Sequence, residues 1–394
     1  MAAVTGLAYV WAPQVEQVVY DHELPVPPAP GAVALDRQAA LARALVPDGT
    51  LTGLRPGPAP ADTTQVIFDR PGLAPGYHWT VFLDPHTGAV RGQLETYGSG
   101  QAMPLRGWLD ALHRSPHLGD FGRLYSELAA SWLWVVVLSG LALWFGRRRR
   151  RASSRRGRLR NRHGRTGVVL AAGLLFLSAT GLTWSSHASA QLADPRARLD
   201  WTTPSISATA PAANGPGLGF DGARRATLRA GLGDPVEIRP PSGPGEGYVV
   251  AQVGRSWPVW ADSMAVDPVT GTITGTLRFA GYPLAAKLST WGIDAHMGLL
   301  FGLANQIVLT LLAVGLIAAL GWGYRMWWLR RPTRGRARPG RLPARGAWRR
   351  IPGRVLAPAL VAVAVAGYYL PLFGWSLLGF LVLDGLLEVR WARA

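Results

Sequence analysis

The residues best suited to chemistry in this 394-residue chain are its eight histidines: His22, His78, His86, His113, His117, His163, His187 and His296. Imidazole changes charge near neutral pH and is a common metal ligand. Two of the eight sit inside a repeated phrase. The first copy runs Asp84-Pro85-His86-Thr87-Gly88, then Pro104-Leu105, then His117-Leu118-Gly119 and an apolar segment over 128–146. The second runs Asp267-Pro268-Val269-Thr270-Gly271, then Pro283-Leu284, then His296-Met297-Gly298 and an apolar segment over 299–324. In each copy the histidine follows the proline by 13 residues. A repeat that delivers His117 and His296 to the same edge of two apolar segments points to a metal or haem held between them. His113 precedes His117 by four residues, which is one helical face. His163 precedes a further apolar segment and His187 follows it. Ionisable residues at such depth are candidates for function. The bland alternative makes each an interfacial side chain with a polar tip. His22, His78 and His86 fall in regions that read as soluble, where they serve as surface residues.

Composition removes many other chemistries. With no cysteine, the chain makes no disulfide, iron–sulfur cluster, thiolate nucleophile or covalent haem link. Any haem is held non-covalently by His or Met. No Ser-His-Asp order, HExxH, Walker loop or GxGxxG stands in a supporting context. The net charge of +18 is concentrated in two places. Residues 147–165 hold 11 Arg and no acid, and residues 325–354 hold another 11 Arg and no acid. The remainder carries 19 basic and 23 acidic residues, so the charge needs no nucleic-acid partner to explain it.

These arginine blocks directly follow apolar runs, the pattern of cytoplasmic loops in a membrane protein. The elements that must position the histidines follow from that. A truncated first transmembrane helix is expected over 1–12, and further spans over 111–146, 166–185, 286–326, 355–370 and 371–390. Cytoplasmic Arg-rich loops fall at 147–165 and 327–354. Extracytoplasmic regions fall at 13–110 and 186–285. Each of these carries one helix (Leu35–Leu45, Phe220–Leu232) and alternating apolar runs that read as strands. Asp-Pro-x-Thr-Gly between strands predicts a tight turn, with Pro presetting φ and Gly accepting a positive φ. Segment 202–219, rich in Pro, Ala, Gly and Ser, reads as a linker. The expected fold class is an α-helical polytopic membrane bundle with two small extracytoplasmic α+β modules, surrounded by membrane lipid.

The chain resembles a known family on these residues. The two modules with their hairpins look like PepSY domains. The runs LHRSPHLGDFGRLYSELAASWLWVVVLSGLALW (112–144), RHGRTGVVLAAGLLFLSATGLTWSSHASA (162–190) and DAHMGLLFGLANQIVL (294–309) look like the PepSY-associated transmembrane family. That resemblance implies haem b in the membrane bundle, one or two per chain. It implies electron delivery from a donor in the inner membrane to a ferric siderophore or related acceptor outside. By motif match, His113, His117, His163 and His296 inherit the possible ligand role. Members usually begin with a full first span bearing an early histidine. TGLAYVWAPQVEQVVYDHEL (5–24) matches only the end of that span, so an inner haem on His163 awaits its partner. Two other functions are open at this point: a non-enzymatic membrane regulator of extracytoplasmic peptidases, and an accessory partner of an iron transporter.

Overall fold

The computed structural model describes residues 1–146, 155–210, 215–329 and 351–392. Two compact units form. One comprises Met1–Leu7, Ala111–Leu199 and Ile307–Ala394, and the other Ala8–Asp110 and Asp200–Gln306.

The second unit is built on one antiparallel sheet. Strands β1 (Thr50–Arg55), β2 (Thr64–Asp69), β3 (Tyr77–Leu83) and β4 (Val90–Tyr97) form a meander. Strands β5 (Val236–Arg239), β6 (Tyr248–Gln252), β7 (Ser263–Val266) and β8 (Ile273–Leu277) form another. The order β4-β3-β2-β1-β5-β6-β7-β8 makes them a single eight-stranded sheet. Alternation puts Leu54, Val66, Phe68, Val81, Leu83, Ile238, Val250, Met264 and Val266 in one cluster. Helices α3 (Leu35–Leu45) and α9 (Gly219–Arg229) add Ala39, Ala42, Phe220 and Ala223 to it. The two modules read from the sequence therefore share one sheet and one core. A lone four-stranded meander leaves β1 or β5 as an open edge, and pairing them removes both edges.

That seam is short. Leu54 and Ile238 are the only partners in register across β1 and β5. Two devices reinforce it. Arg55 donates from Nε and Nη2 to Glu237 Oε2, at 2.8 and 2.6 Å. The two helices also cap each other. The Asp221 carboxylate accepts from the N–H groups of Leu35 and Asp36 at 3.0 and 2.9 Å. The Asp36 carboxylate accepts from those of Phe220 and Asp221 at 2.7 and 3.3 Å. Each acid thus satisfies the orphan donors and faces the dipole of the other helix. Gly219 has φ +69, and a Cβ there would collide with the Asp36 carboxylate. Burial pushes Asp36 above the usual carboxylate range, with Asp221 beside it adding to the shift. Burial also opposes the charge of Asp221, but the N–H groups of Asp36 and Leu35 outweigh it and hold that acid low.

Both Asp-Pro-x-Thr-Gly motifs are the expected turns. Asp84 Oδ1 accepts from His86 N at 2.8 Å, and Asp267 Oδ1 from Val269 N and Thr270 N at 2.9 and 2.7 Å. Gly88 and Gly271 take φ +74 and +73. His86 does more than cover surface. Its Nδ1 lies 2.6 Å from Gly31 O and its Nε2 2.8 Å from Pro60 O. Carbonyls only accept, so both ring nitrogens donate when the imidazole is protonated. The Pro60 and Gly31 carbonyls accordingly raise the His86 pKa. A raised folded-state pKa means this stabilisation is complete below the unfolded value of about 6.5 and is lost as pH rises through the folded one. The difference in Tm between wild type and His86→Ala is therefore expected to shrink as pH rises above neutral. A difference that grows with pH would contradict this assignment.

The other unit holds the long apolar helices. Four helices among the described residues are long and apolar enough to cross a membrane: α5 (Gly119–Phe145), α6 (Arg155–Leu182), α11 (Gly302–Trp328) and α13 (Pro371–Ala392). Helix α12 (Gly353–Tyr369) is apolar but shorter, at 17 residues. Val137, Leu170, Ala171 and Leu174 pack with Leu312 and Leu316 at the centre of α5, α6 and α11. A Cβ added at Gly173 would come within 2.5 Å of Leu312, and one at Gly315 within 2.9 Å of Leu170. Small residues at these positions are what let α6 and α11 approach. Ser178 Oγ donates to Ala130 O at 2.8 Å, tying α6 to α5. Trp132 Nε1 donates to Ser376 Oγ at 2.9 Å, tying α5 to α13.

Several boundaries differ from the sequence expectation. The spans expected over 111–146 and 286–326 are each preceded by a separate helix, α4 (Pro104–Arg114) and α10 (Leu284–His296). Pro116 cannot extend α4, and Gly298, at φ +80, closes α10. The first apolar stretch, expected over 1–12, is α1 (Ala2–Val10), followed by α2 (Ala12–Val19) with Pro in its first turn. Helix α6 begins inside the arginine block expected as a loop over 147–165. Residues 147–154 of that block, 211–214 of the linker and 330–350 of the second block lie outside the described residues. The loose stretch after residue 185 contains two short helices, α7 (His187–Gln191) and α8 (Ala193–Arg198).

Candidate functional site

The side chains of His163, His113 and His187 have partners that define how each ring is held. His163, on α6, has Nδ1 3.0 Å from the carbonyl of Ala319 on α11. The carbonyl only accepts, so Nδ1 carries the proton and Nε2 is the lone-pair nitrogen of the neutral ring. This is the tautomer that metal-ligating histidines use, with the second nitrogen anchored by a carbonyl. Gly323, one turn beyond Ala319, faces the same ring, and a Cβ there would lie 3.9 Å from Cε1.

His113 repeats the arrangement with a hydroxyl. Its Nδ1 lies 3.0 Å from Thr5 Oγ1. The Thr5 hydroxyl also lies 3.3 and 3.2 Å from the carbonyls of Met1 and Ala2. A hydroxyl both donates and accepts, so this contact fixes the orientation of the ring. Gly6 stands beside this ring, and a Cβ there would be 3.3 Å from Cε1.

His187 is held differently. Its Nδ1 lies 3.2 Å from Glu127 Oε2. The same carboxylate accepts from the N–H groups of Ser186, His187 and Ala188, the last at 2.8 Å. A cavity of about 290 Å³ lined by Asp120, Arg123, Leu124, Glu127, Ser186 and His187 opens here. His117 lies between α4 and α5 with φ +53, and His296 is the last residue of α10. They belong to different units, His117 to the one that holds the long apolar helices and His296 to the one that holds the sheet.

Among the described residues, no group of three or more His, Asp or Glu forms that could hold a metal ion. Single, pre-oriented imidazoles beside glycines suit a group that asks the protein for one or two axial nitrogens. Haem is such a group. Lone imidazoles such as His163 and His113 are donors of the kind that group takes.

Sequence reasoning missed the buried charges near these positions. Asp294, two residues before His296, is 3% exposed, with Arg255 Nη1 at 3.9 Å. Burial pushes its pKa up to about 6 against the opposing pull of Arg255. Glu16 is 5% exposed, pairs with Arg106 Nε at 3.3 Å and accepts from Met103 N at 3.0 Å. Burial raises its pKa as well. Glu127 is the third. A signal was present for Asp294, the only acid between Asp267 and Asp384.

No curated protein matches this chain at a significant level. A family profile described as the PepSY-associated TM region matches residues 1–330. That span takes in the histidines, both hairpins and three of the four long apolar helices. The chain is a multi-pass membrane protein in contact with lipid, and it belongs to the PepSY-associated transmembrane family.

Proposed function

We propose that this protein carries electrons across the bacterial cell (inner) membrane on non-covalent haem b and delivers them to ferric-siderophore iron or a related extracytoplasmic acceptor. The observation that carries the reading is His163. It projects from one membrane helix, has Nδ1 anchored on a carbonyl of the next, and faces Gly323, where an added Cβ would lie 3.9 Å from the ring and a longer side chain would fill the space beside it. His113 supports it with a ring held by Thr5 and bordered by Gly6.

Bound haem would supply one-electron exchange at iron. The residues do the rest. His163 serves an inner position, and His113, His117 and His296 serve as ligands toward the outer side. Ala319 fixes the orientation and tautomer of His163, which raises the basicity of the ligating nitrogen, and Thr5 fixes the orientation of His113. The apolar helices exclude water. Arg-rich segments on the cytoplasmic side orient the chain and leave the sheet unit outside, where an acceptor is met.

His163→Ala is expected to lower haem per purified protein severalfold, and Gly323→Leu to do the same by filling the space beside the ring. Thr5→Val removes only the hydroxyl at His113 and is expected to weaken haem affinity by roughly tenfold. Wild-type haem content and an unchanged reduced spectrum in all three variants would overturn the assignment.

A further inference from the structure

The two halves of the sheet unit are built alike, but they differ at one face. Val33 N donates to Pro85 O at 2.7 Å, and Leu218 N donates to Pro268 O at 2.8 Å. With the reciprocal Asp36 and Asp221 caps, these bonds set α3 and α9 in register. In the first half, Leu41 covers the turn glycine, so a Cβ on Gly88 would meet its Cδ1 at 2.9 Å. Ala226 occupies the matching place in the second half, and a Cβ on Gly271 would meet nothing within 4 Å. Leu45 is likewise matched by Ala230 and Arg37 by Gly222. The result is an open groove of about 480 Å³ between α9 and the second hairpin.

The same register places Arg225 and Arg229 where the first half has Ala40 and Ala44. They stand one helical turn apart, are exposed, and line the groove with no acid among its lining residues. Asp221 at the helix start lies within the field of Arg225. Leu218, Ala226 and Ala230 supply an apolar wall. The volume is in the range of small-molecule sites. Paired guanidinium groups above an apolar wall recognise a carboxylate on an apolar body, the charge by forked hydrogen bonds and the body by burial.

We propose that this groove is a binding site for an amphiphilic organic carboxylate. It does not depend on the haem reading. The probe is 2-naphthoate, titrated by calorimetry into the full chain in lipid nanodiscs. The expected result is saturable binding that the neutral 2-naphthamide does not match. Ala226→Leu, which restores the filled arrangement of the first half, is expected to abolish it. Arg225→Gln and Arg229→Gln are each expected to weaken it by roughly tenfold. Ala40→Leu on the other half controls for partition into lipid and is expected to leave binding unchanged. Equal affinity in wild type and Ala226→Leu, equal affinity for the naphthamide, or no saturable binding would each overturn the proposal.

Discussion

The Glu127→Ala variant is expected to lose about 3 kcal/mol of stability in the unit that holds the long apolar helices. Glu127 is 5% exposed, at the polar end of α5. Its two oxygens gather the N–H groups of Ser186, His187 and Ala188, and His187 Nδ1. Truncation leaves those donors without their shared acceptor; Ala188 is buried and cannot turn to water, and an unmet buried donor costs more than a typical hydrogen bond contributes. Glu127→Gln keeps an acceptor oxygen but gives up charge assistance, so it should fall between wild type and alanine. Thermal unfolding in detergent measures the order. An alanine variant as stable as wild type would show that the carboxylate does not hold this turn. Because His187 is one of the partners, a haem content that follows stability in this series would also mark His187 as structural.

The second large effect is expected at the sheet seam. Glu237→Ala should cost about 3 kcal/mol, because it leaves the half-buried Arg55 guanidinium without its carboxylate. The Arg55 side chain is 13% exposed and that of Glu237 18%. Arg55 Nη2 also donates to Ser99 O at 2.6 Å, so the guanidinium is held in place and cannot swing to solvent without breaking that bond. Replacing both partners, as in Arg55→Met with Glu237→Leu, should recover most of the loss, since paired apolar groups need no compensation. Amide exchange of β1 and β5 is the sensitive readout, as the strands meet at one register pair. Exchange that accelerates equally in all eight strands would mean that the halves unfold as one, and the seam would not be the weak point.

Much of this was legible in the sequence for simple reasons. Apolar runs of sufficient length announce spans, and arginine blocks announce their ends. Asp-Pro-x-Thr-Gly announces a turn because each residue has a conformational role there. What could not be read depends on distant partners. Nothing local in Leu51–Leu54 or Val236–Ile238 says that β1 will pair with β5 and merge two modules into one sheet. Asp36 and Asp221 look like ordinary first-turn acids, and only the fold makes each the cap of the other's helix. The histidines were legible as a set by their positions along the chain. How each ring is held was not, because it is set by Thr5, Ala319 and Glu127, residues with no motif of their own. The role of His86 is not legible locally, because its carbonyl partners at Gly31 and Pro60 are remote in sequence.

The central claim is that this chain holds haem b on its membrane-edge histidines. Its most direct test is the dithionite-reduced absorption spectrum of the purified full chain, compared with the His117→Ala and His296→Ala variants. A low-spin b-type spectrum is expected in the wild type, with loss of at least one haem, or conversion to a high-spin form, in each variant. A colourless wild-type protein after expression with ample haem, or variants whose reduced spectra match the wild type, would contradict it.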